Sequence, residues 1–194
     1  MKGWSQEMQG EFLRRGGAVP AAPSRELALT RAALITEEWA ELIAALVVKD
    51  AVDTADAFAD LKYVILGAAE ALGAEMPDTF AQPGPPWWPI SIDEVQRFEL
   101  IGVVLVQNAT EALSAWRSPD YLAIRLTTLD TAVSLQAAAW GFPLEDLYRE
   151  VHASNMTKAP NPDGGVSKYG PSGKGPGYRP PDIAGVLRRA GWQL

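Results

Sequence analysis

Glu37-Glu38-Trp39-Ala40-Glu41, taken with Asp53, Asp56 and Asp60 one short loop downstream, decides how this chain is read. On a helix, Glu38 and Glu41 stand three apart and Glu37 and Glu41 four apart, so all three carboxylates fall on or near one face. Asp53, Asp56 and Asp60, three and four apart, share a face in the same way. Two antiparallel helices turned at Lys49-Asp50 would aim these faces at each other and gather four to six carboxylates in a small volume. Such a cluster repels itself unless cations occupy it, and hard divalent ions with oxygen ligands, Mg²⁺ or Mn²⁺, suit it. Most acidic residues are instead solvated charges on exposed faces. Here the same rows continue into Leu34 and Ala45 on the first helix and into Val64 and Gly67 on the second, so the acids interrupt core-facing stripes. Buried charges persist only when paired or metal-bound.

Composition bounds the function. The 194 residues, 47% hydrophobic and 21% charged, are those of an ordinary globular chain with one sizeable core. A net charge of -7 disfavours nucleic acids and anionic membranes as partners, because neither polyanion is drawn to an acidic surface. With no cysteine, disulfides, thiolate zinc sites and cysteine nucleophiles are excluded. The N-terminus lacks a signal-peptide core and no apolar run approaches the ~20 residues of a membrane helix, so a cytoplasmic location is expected.

Working outward, a Trp4, Met8, Phe12 stripe predicts a short first helix, and the Gly/Pro-rich residues 16–23 break it. Ser24 caps a helix from Arg25 to Val48, Lys49-Asp50 turns the chain, and a second helix from Ala51 to Leu72 stops at Gly73. The proline-rich residues 81–90 cannot be helical. Ser91 or Asp93 starts a helix to about Trp116, and another runs from about Tyr121 to Trp140. A short helix follows from Leu144 to Ser154, then a Gly/Pro/Lys loop over 159–181 and a last helix capped by Asp182. The expectation is an all-α, four-helix-bundle-like chain, one domain over 1–194. It comprises an acidic hairpin at 24–73, a second hairpin at 91–141, and a loop-rich segment with a final helix at 144–194. A shift of 70 residues lays Glu41 on Glu111 and Asp60 on Asp130, which leaves both internal duplication and chance alignment of two hairpins open.

These residues resemble the all-alpha nucleoside triphosphate pyrophosphohydrolases of the MazG, phosphoribosyl-ATP pyrophosphatase and dimeric dUTPase group. Glu38-Trp39-Ala40-Glu41 is similar to the first half of their Glu-x-x-Glu, Glu-x-x-Asp motif, and Glu37 to the paired glutamate before it. The segment ending at Asp60 resembles the second half, but Ala57 stands where the motif has glutamate and Asp56 lies one residue earlier. Ser154-Asn155-Met156-Thr157-Lys158 is similar to the group's Ser-Asn-Met-Thr/Ser-Lys motif, and Lys174-Gly175-Pro176-Gly177-Tyr178 to its C-terminal segment. About ninety residues separate the acidic hairpin from these motifs, where relatives have few.

The resemblance implies hydrolysis of a nucleoside triphosphate, a deoxynucleotide by preference, between its α and β phosphates, in nucleotide-pool control. It implies two or more Mg²⁺ or Mn²⁺ ions held by Glu38, Glu41, Asp56 and Asp60, with Glu37 a ligand or the base that orients water. Asn155, Lys158 and Lys174 suit the phosphates. The residues that read the base are not specified. Lys62, two residues from Asp60, is expected at the surface, and the lone His152 is assigned no role. Relatives pair hairpins between chains, so a homo-oligomer, a dimer first, is implied. The alternatives are phosphoribosyl-ATP pyrophosphatase itself and a catalytically silent nucleotide-binding bundle.

Overall fold

A computed structural model describes residues 1–15, 22–160 and 172–194. The expected break at 16–23 and the middle of the 159–181 loop therefore lie largely outside the described residues. Seven helices are present among them: α1 (Trp4–Arg15), α2 (Arg25–Val48), α3 (Ala51–Leu72), α4 (Ile92–Ser114), α5 (Pro119–Ala139), α6 (Leu144–Asn155) and α7 (Ile183–Arg189). Ala159–Pro160 and Ser172–Gly173 form a minimal antiparallel pair.

Local chemistry sets the ends of the acidic hairpin. The Ser24 hydroxyl accepts from the Leu27 amide to start α2, and Lys49 in the left-handed conformation (φ 59°) ends it. The Asp50 carboxylate then accepts from the amides of Val52 and Asp53 to start α3, which Gly73 ends at φ 72°. Ser91 and Glu94 form a reciprocal capping box at the start of α4.

The chain is an all-α helical bundle. Helix α2 packs on α3 and α4, α4 on α5, and α5 back on α3, which closes a four-helix ring. Helices α1, α6 and α7 pack on the other side of α3. A helix surrounded on most sides must be largely apolar, and α3, apart from its acidic row and a few other polar residues, is: Ala55, Phe58, Ala59, Leu61, Ile65 and Leu66 are each fully buried. Trp39 of α2 lies against Phe98 of α4, and its ring rests on Gly102, where a side chain would have no room.

The central position of α3 corrects one expectation. Lys62 is buried, with none of its surface exposed, and its ammonium lies 2.8 Å from both carboxylate oxygens of Asp130 on α5. It also donates to Thr79 and Ser134, and sits 4.3 Å from the centre of the Phe80 ring. The face of α3 opposite the acids is covered by α5 and the residues after Gly73, so it never meets solvent.

Candidate active site

The hairpin brings the two acidic rows together. A cleft of about 390 Å³ between α2 and α3 is lined by Glu41, Asp53, Asp56 and Asp60, with Val48 and Ala57 among its apolar walls. Ala57 contributes a methyl group where the resemblance called for a glutamate. Glu38 is half-buried beside the cleft and Glu37 lies near it, while Glu41 and Asp53 are more exposed.

The electrostatics are those of carboxylates held together with too little counter-charge to offset burial and mutual repulsion. Burial, then repulsion from Glu41, Glu37 and Asp56, pushes the Glu38 carboxyl up to about 7. Burial and the neighbouring Asp53 and Glu41 raise Asp56, and burial with Asp56 and Glu38 raises Asp60 well above the usual carboxylate range. Two oxygens in this set, Oε2 of Glu38 and Oδ1 of Asp56, are buried and have no hydrogen-bond partner among the described residues. A buried carboxylate oxygen without a donor is costly unless an ion or ligand completes it. Among the described residues, no three carboxylate or imidazole groups converge as they stand on a single metal position. The donor set therefore matches a hard divalent ion in chemistry, while the acids line the cleft without closing on one point.

Among the described residues, two lysines bring positive charge to this set. Lys158 just beyond α6 opposes the upward shifts of Glu38, Asp56 and Asp60, and Lys174 opposes that of Asp56. Burial lowers the Lys158 ammonium, and the Asp60 carboxylate counteracts that. Lys174 is exposed and lies 5.3 Å from the Tyr178 ring. The two motif segments that carry these lysines are stitched together. The Ser154 hydroxyl donates to the Arg179 carbonyl at 2.7 Å, and the Arg179 amide donates to the Thr157 hydroxyl at 2.8 Å. Because α6 packs on α3, the ninety-residue separation between the hairpin and these segments closes in space.

Asn155 is buried at the end of α6, near the buried Tyr63 hydroxyl. That hydroxyl lies 3.2 Å from Nδ1 of His152. His152, given no role from sequence, is thus a buried partner of α3. The available signal was Tyr63 itself, which continues the Asp56, Asp60 row one turn on.

Fold and cleft define a helical bundle whose acidic hairpin is faced by two lysines, an arrangement suited to a polyanion brought in with cations. Residues 6–82, from α1 through α3 and into the following linker, match the family model described as phosphoribosyl-ATP pyrophosphohydrolase. The match leaves α4 to α7 and both lysines outside it. No curated protein and no solved structure gives a significant match to the chain. No described helix is long and apolar enough to cross a membrane.

Proposed function

We propose that this chain is a pyrophosphohydrolase acting on a nucleoside triphosphate, a deoxynucleotide by preference, releasing the monophosphate and pyrophosphate and serving nucleotide-pool control. The observation that carries the reading is the pair of orphaned buried oxygens on Glu38 and Asp56, set among mutually repelling acids and approached by Lys158. Four of these carboxylates, Glu38, Glu41, Asp56 and Asp60, would hold Mg²⁺ or Mn²⁺, two or more ions per site. Divalent ions there would offset the charge of the triphosphate and stabilise the charge developing on the leaving pyrophosphate.

The protein's own groups do the rest. Glu37, at the rim beside Glu38, accepts a proton from the attacking water and orients it. Lys158 and Lys174 bind phosphate oxygens through their ammonium groups, and Asn155 adds an amide donor. The half-buried setting of Lys158 strengthens its attraction to a phosphate, since less water screens it.

The phosphoribosyl-ATP substrate is a second reading, favoured by the description of the matched family. A panel of ribo- and deoxynucleoside triphosphates with phosphoribosyl-ATP, each with Mg²⁺ or Mn²⁺, decides between them. The expected result is equimolar monophosphate and pyrophosphate from at least one deoxynucleoside triphosphate. Turnover of phosphoribosyl-ATP alone would move the assignment to the second reading, and no turnover of any would reject both.

The same reading includes a homodimer. Leu100, Ile101 and Val104 on the outer face of α4 are 74%, 61% and 54% exposed, an apolar row without a partner in one chain. Light scattering should give about twice the 20.9 kDa chain mass, falling to one chain mass in Leu100→Glu. A wild-type chain that scatters as a monomer rejects the dimer.

A further inference from the structure

The outer face of α4 carries more than an apolar row. Arg97, Leu100, Val104 and Glu111 follow one another at steps of three, four and seven residues, so they fall along one stripe of the helix, and all four are exposed. Leu100 and Val104 occupy the middle of the stripe with Ile101 beside them, and a cation and an anion stand at its ends. Among the described residues neither end charge has an ion-pair partner within the chain. The Glu111 carboxylate accepts from the Gln107 amide at 2.9 Å, one turn back along the same face, which holds it over the stripe.

Arg97 and Glu111 each stand seven residues from Val104, about two turns to either side. Most homodimers are two-fold, and across a two-fold axis each contact between one residue and its counterpart is made twice. An antiparallel pairing of two α4 helices about Val104 therefore sets Arg97 against the partner's Glu111, and repeats that contact at the other end. A parallel pairing would set arginine against arginine and glutamate against glutamate, which is repulsive. At 1.5 Å rise per residue the two contacts lie about 21 Å apart, well inside the roughly 34 Å length of this 23-residue helix.

The surface beside the stripe suits the same partner. An apolar groove of about 60 Å³ lies between α4 and α5, with Ile101 and Leu105 on one side and Leu129 and Val133 on the other. Leu100 and Val104, four apart, make the kind of ridge that a helix seats in such a groove. One copy thus presents both ridge and groove, as a self-complementary surface must.

We propose that two copies of this chain pair through antiparallel α4 helices on a two-fold axis at Val104, with the apolar ridge in the middle and an ion pair between Arg97 and the partner's Glu111 at each end. This geometry rests on the homodimer reading and is independent of the reaction assigned to the cleft.

Two measurements on the full chain test it. By analytical ultracentrifugation at low salt, the dimer dissociation constant should rise about tenfold or more in Arg97→Glu and in Glu111→Arg, because each reversal brings like charges together at both ends. Combining the two reversals should return the constant to within about threefold of wild type, and added salt should shrink all of these differences. Orientation is read by cross-linking, which the absence of cysteine from the chain makes unambiguous. Under mild oxidation Val104→Cys should form covalent dimers, since a residue on the axis faces its own copy. Arg97→Cys should not join to itself, but should join to Glu111→Cys when the two variants are mixed. All three positions are exposed, so every variant should keep the helical content of wild type. A wild-type dimer whose affinity ignores the single reversals, or is not restored by the double one, overturns the proposal. So does Arg97→Cys joining to itself, the mark of a parallel pair, or Val104→Cys dimerising without cross-linking. Each of those results leaves the homodimer reading in place, whereas a wild-type chain that stays monomeric defeats both.

Discussion

Glu38→Gln should reduce turnover by about a hundredfold or more while making the metal-free protein more stable at pH 8. The two effects have one origin. The Glu38 carboxyl is pushed up to about 7 by burial and by Glu41, Glu37 and Asp56, so its charged form is disfavoured in the folded chain. A carboxyl whose folded pKa lies above its unfolded value binds more protons folded than unfolded, so stability falls as pH rises through that interval and stays low above it. For Glu38 the interval runs from 4.5 to about 7. Burial and repulsion at Asp56 and Asp60 act in the same direction. The metal-free protein should therefore melt at a lower temperature at pH 8 than at pH 5.5. Glutamine keeps the shape and removes the charge, recovering on the order of 1 kcal/mol once the partial exposure of the site is allowed for. Mn²⁺ should raise the wild-type melting temperature more at pH 8 than at pH 5.5, because below about 7 the ion must displace a proton from Glu38. In the variant that stabilisation should largely vanish. Loss of several kcal/mol of charge stabilisation in the transition state gives the expected drop in rate. Full activity in Glu38→Gln would remove Glu38 from the ion-binding set, and an unchanged or lower metal-free melting temperature would contradict the repulsion.

Much of the bundle could be read from residues whose chemistry is local. Ser24, Asp50 and Gly73 act on amides and carbonyls within four residues of themselves, so the bounds of α2 and α3 follow from sequence alone. The convergence of Glu38 and Glu41 with Asp56 and Asp60 was legible for the same reason, since a two-residue turn between amphipathic helices leaves one way to pair their rows. What could not be read was the environment of the opposite face of α3. Two residues beyond Asp60, Lys62 points away from the cleft, and in an isolated hairpin that direction is solvent. Only the arrival of α5 makes it interior, and nothing near position 62 announces a partner at position 130. His152 was missed on the same ground. A single histidine carries no periodic signal, and its meaning lies in a hydroxyl from a helix far back in the chain. The 70-residue shift lays Asp60 on Asp130, yet in the folded protein the Asp130 carboxylate is neutralised by Lys62.

The Lys62 and Asp130 pair should give the largest stability effects of any surface-distant substitution in the bundle. Both side chains are wholly buried, and their charges are satisfied by each other and by the Thr79 and Ser134 hydroxyls. Removing one partner strands an ion in the core, so Lys62→Met and Asp130→Asn should each lower stability by about 3–5 kcal/mol. For a chain of this length that is a fall in melting temperature on the order of 10 °C. Replacing both, Lys62→Met with Asp130→Leu, removes the charges together with the cost of desolvating them. The Thr79 and Ser134 hydroxyls still lie 3.2 Å apart and satisfy each other. The double variant should therefore recover most of the lost stability, returning to within about 1–2 kcal/mol of wild type. Strong coupling of this kind is what an internal ion pair produces and what two independent packing defects do not. Urea denaturation of the four proteins measures it directly. Single variants as stable as wild type would mean that water or another group reaches the pair, and additive losses in the double variant would mean that volume, not charge, dominates the site. Because the pair joins α3 to α5 behind the acidic row, turnover in the single variants should fall only in proportion to the unfolded fraction, and activity per folded molecule should match wild type at temperatures well below the midpoint.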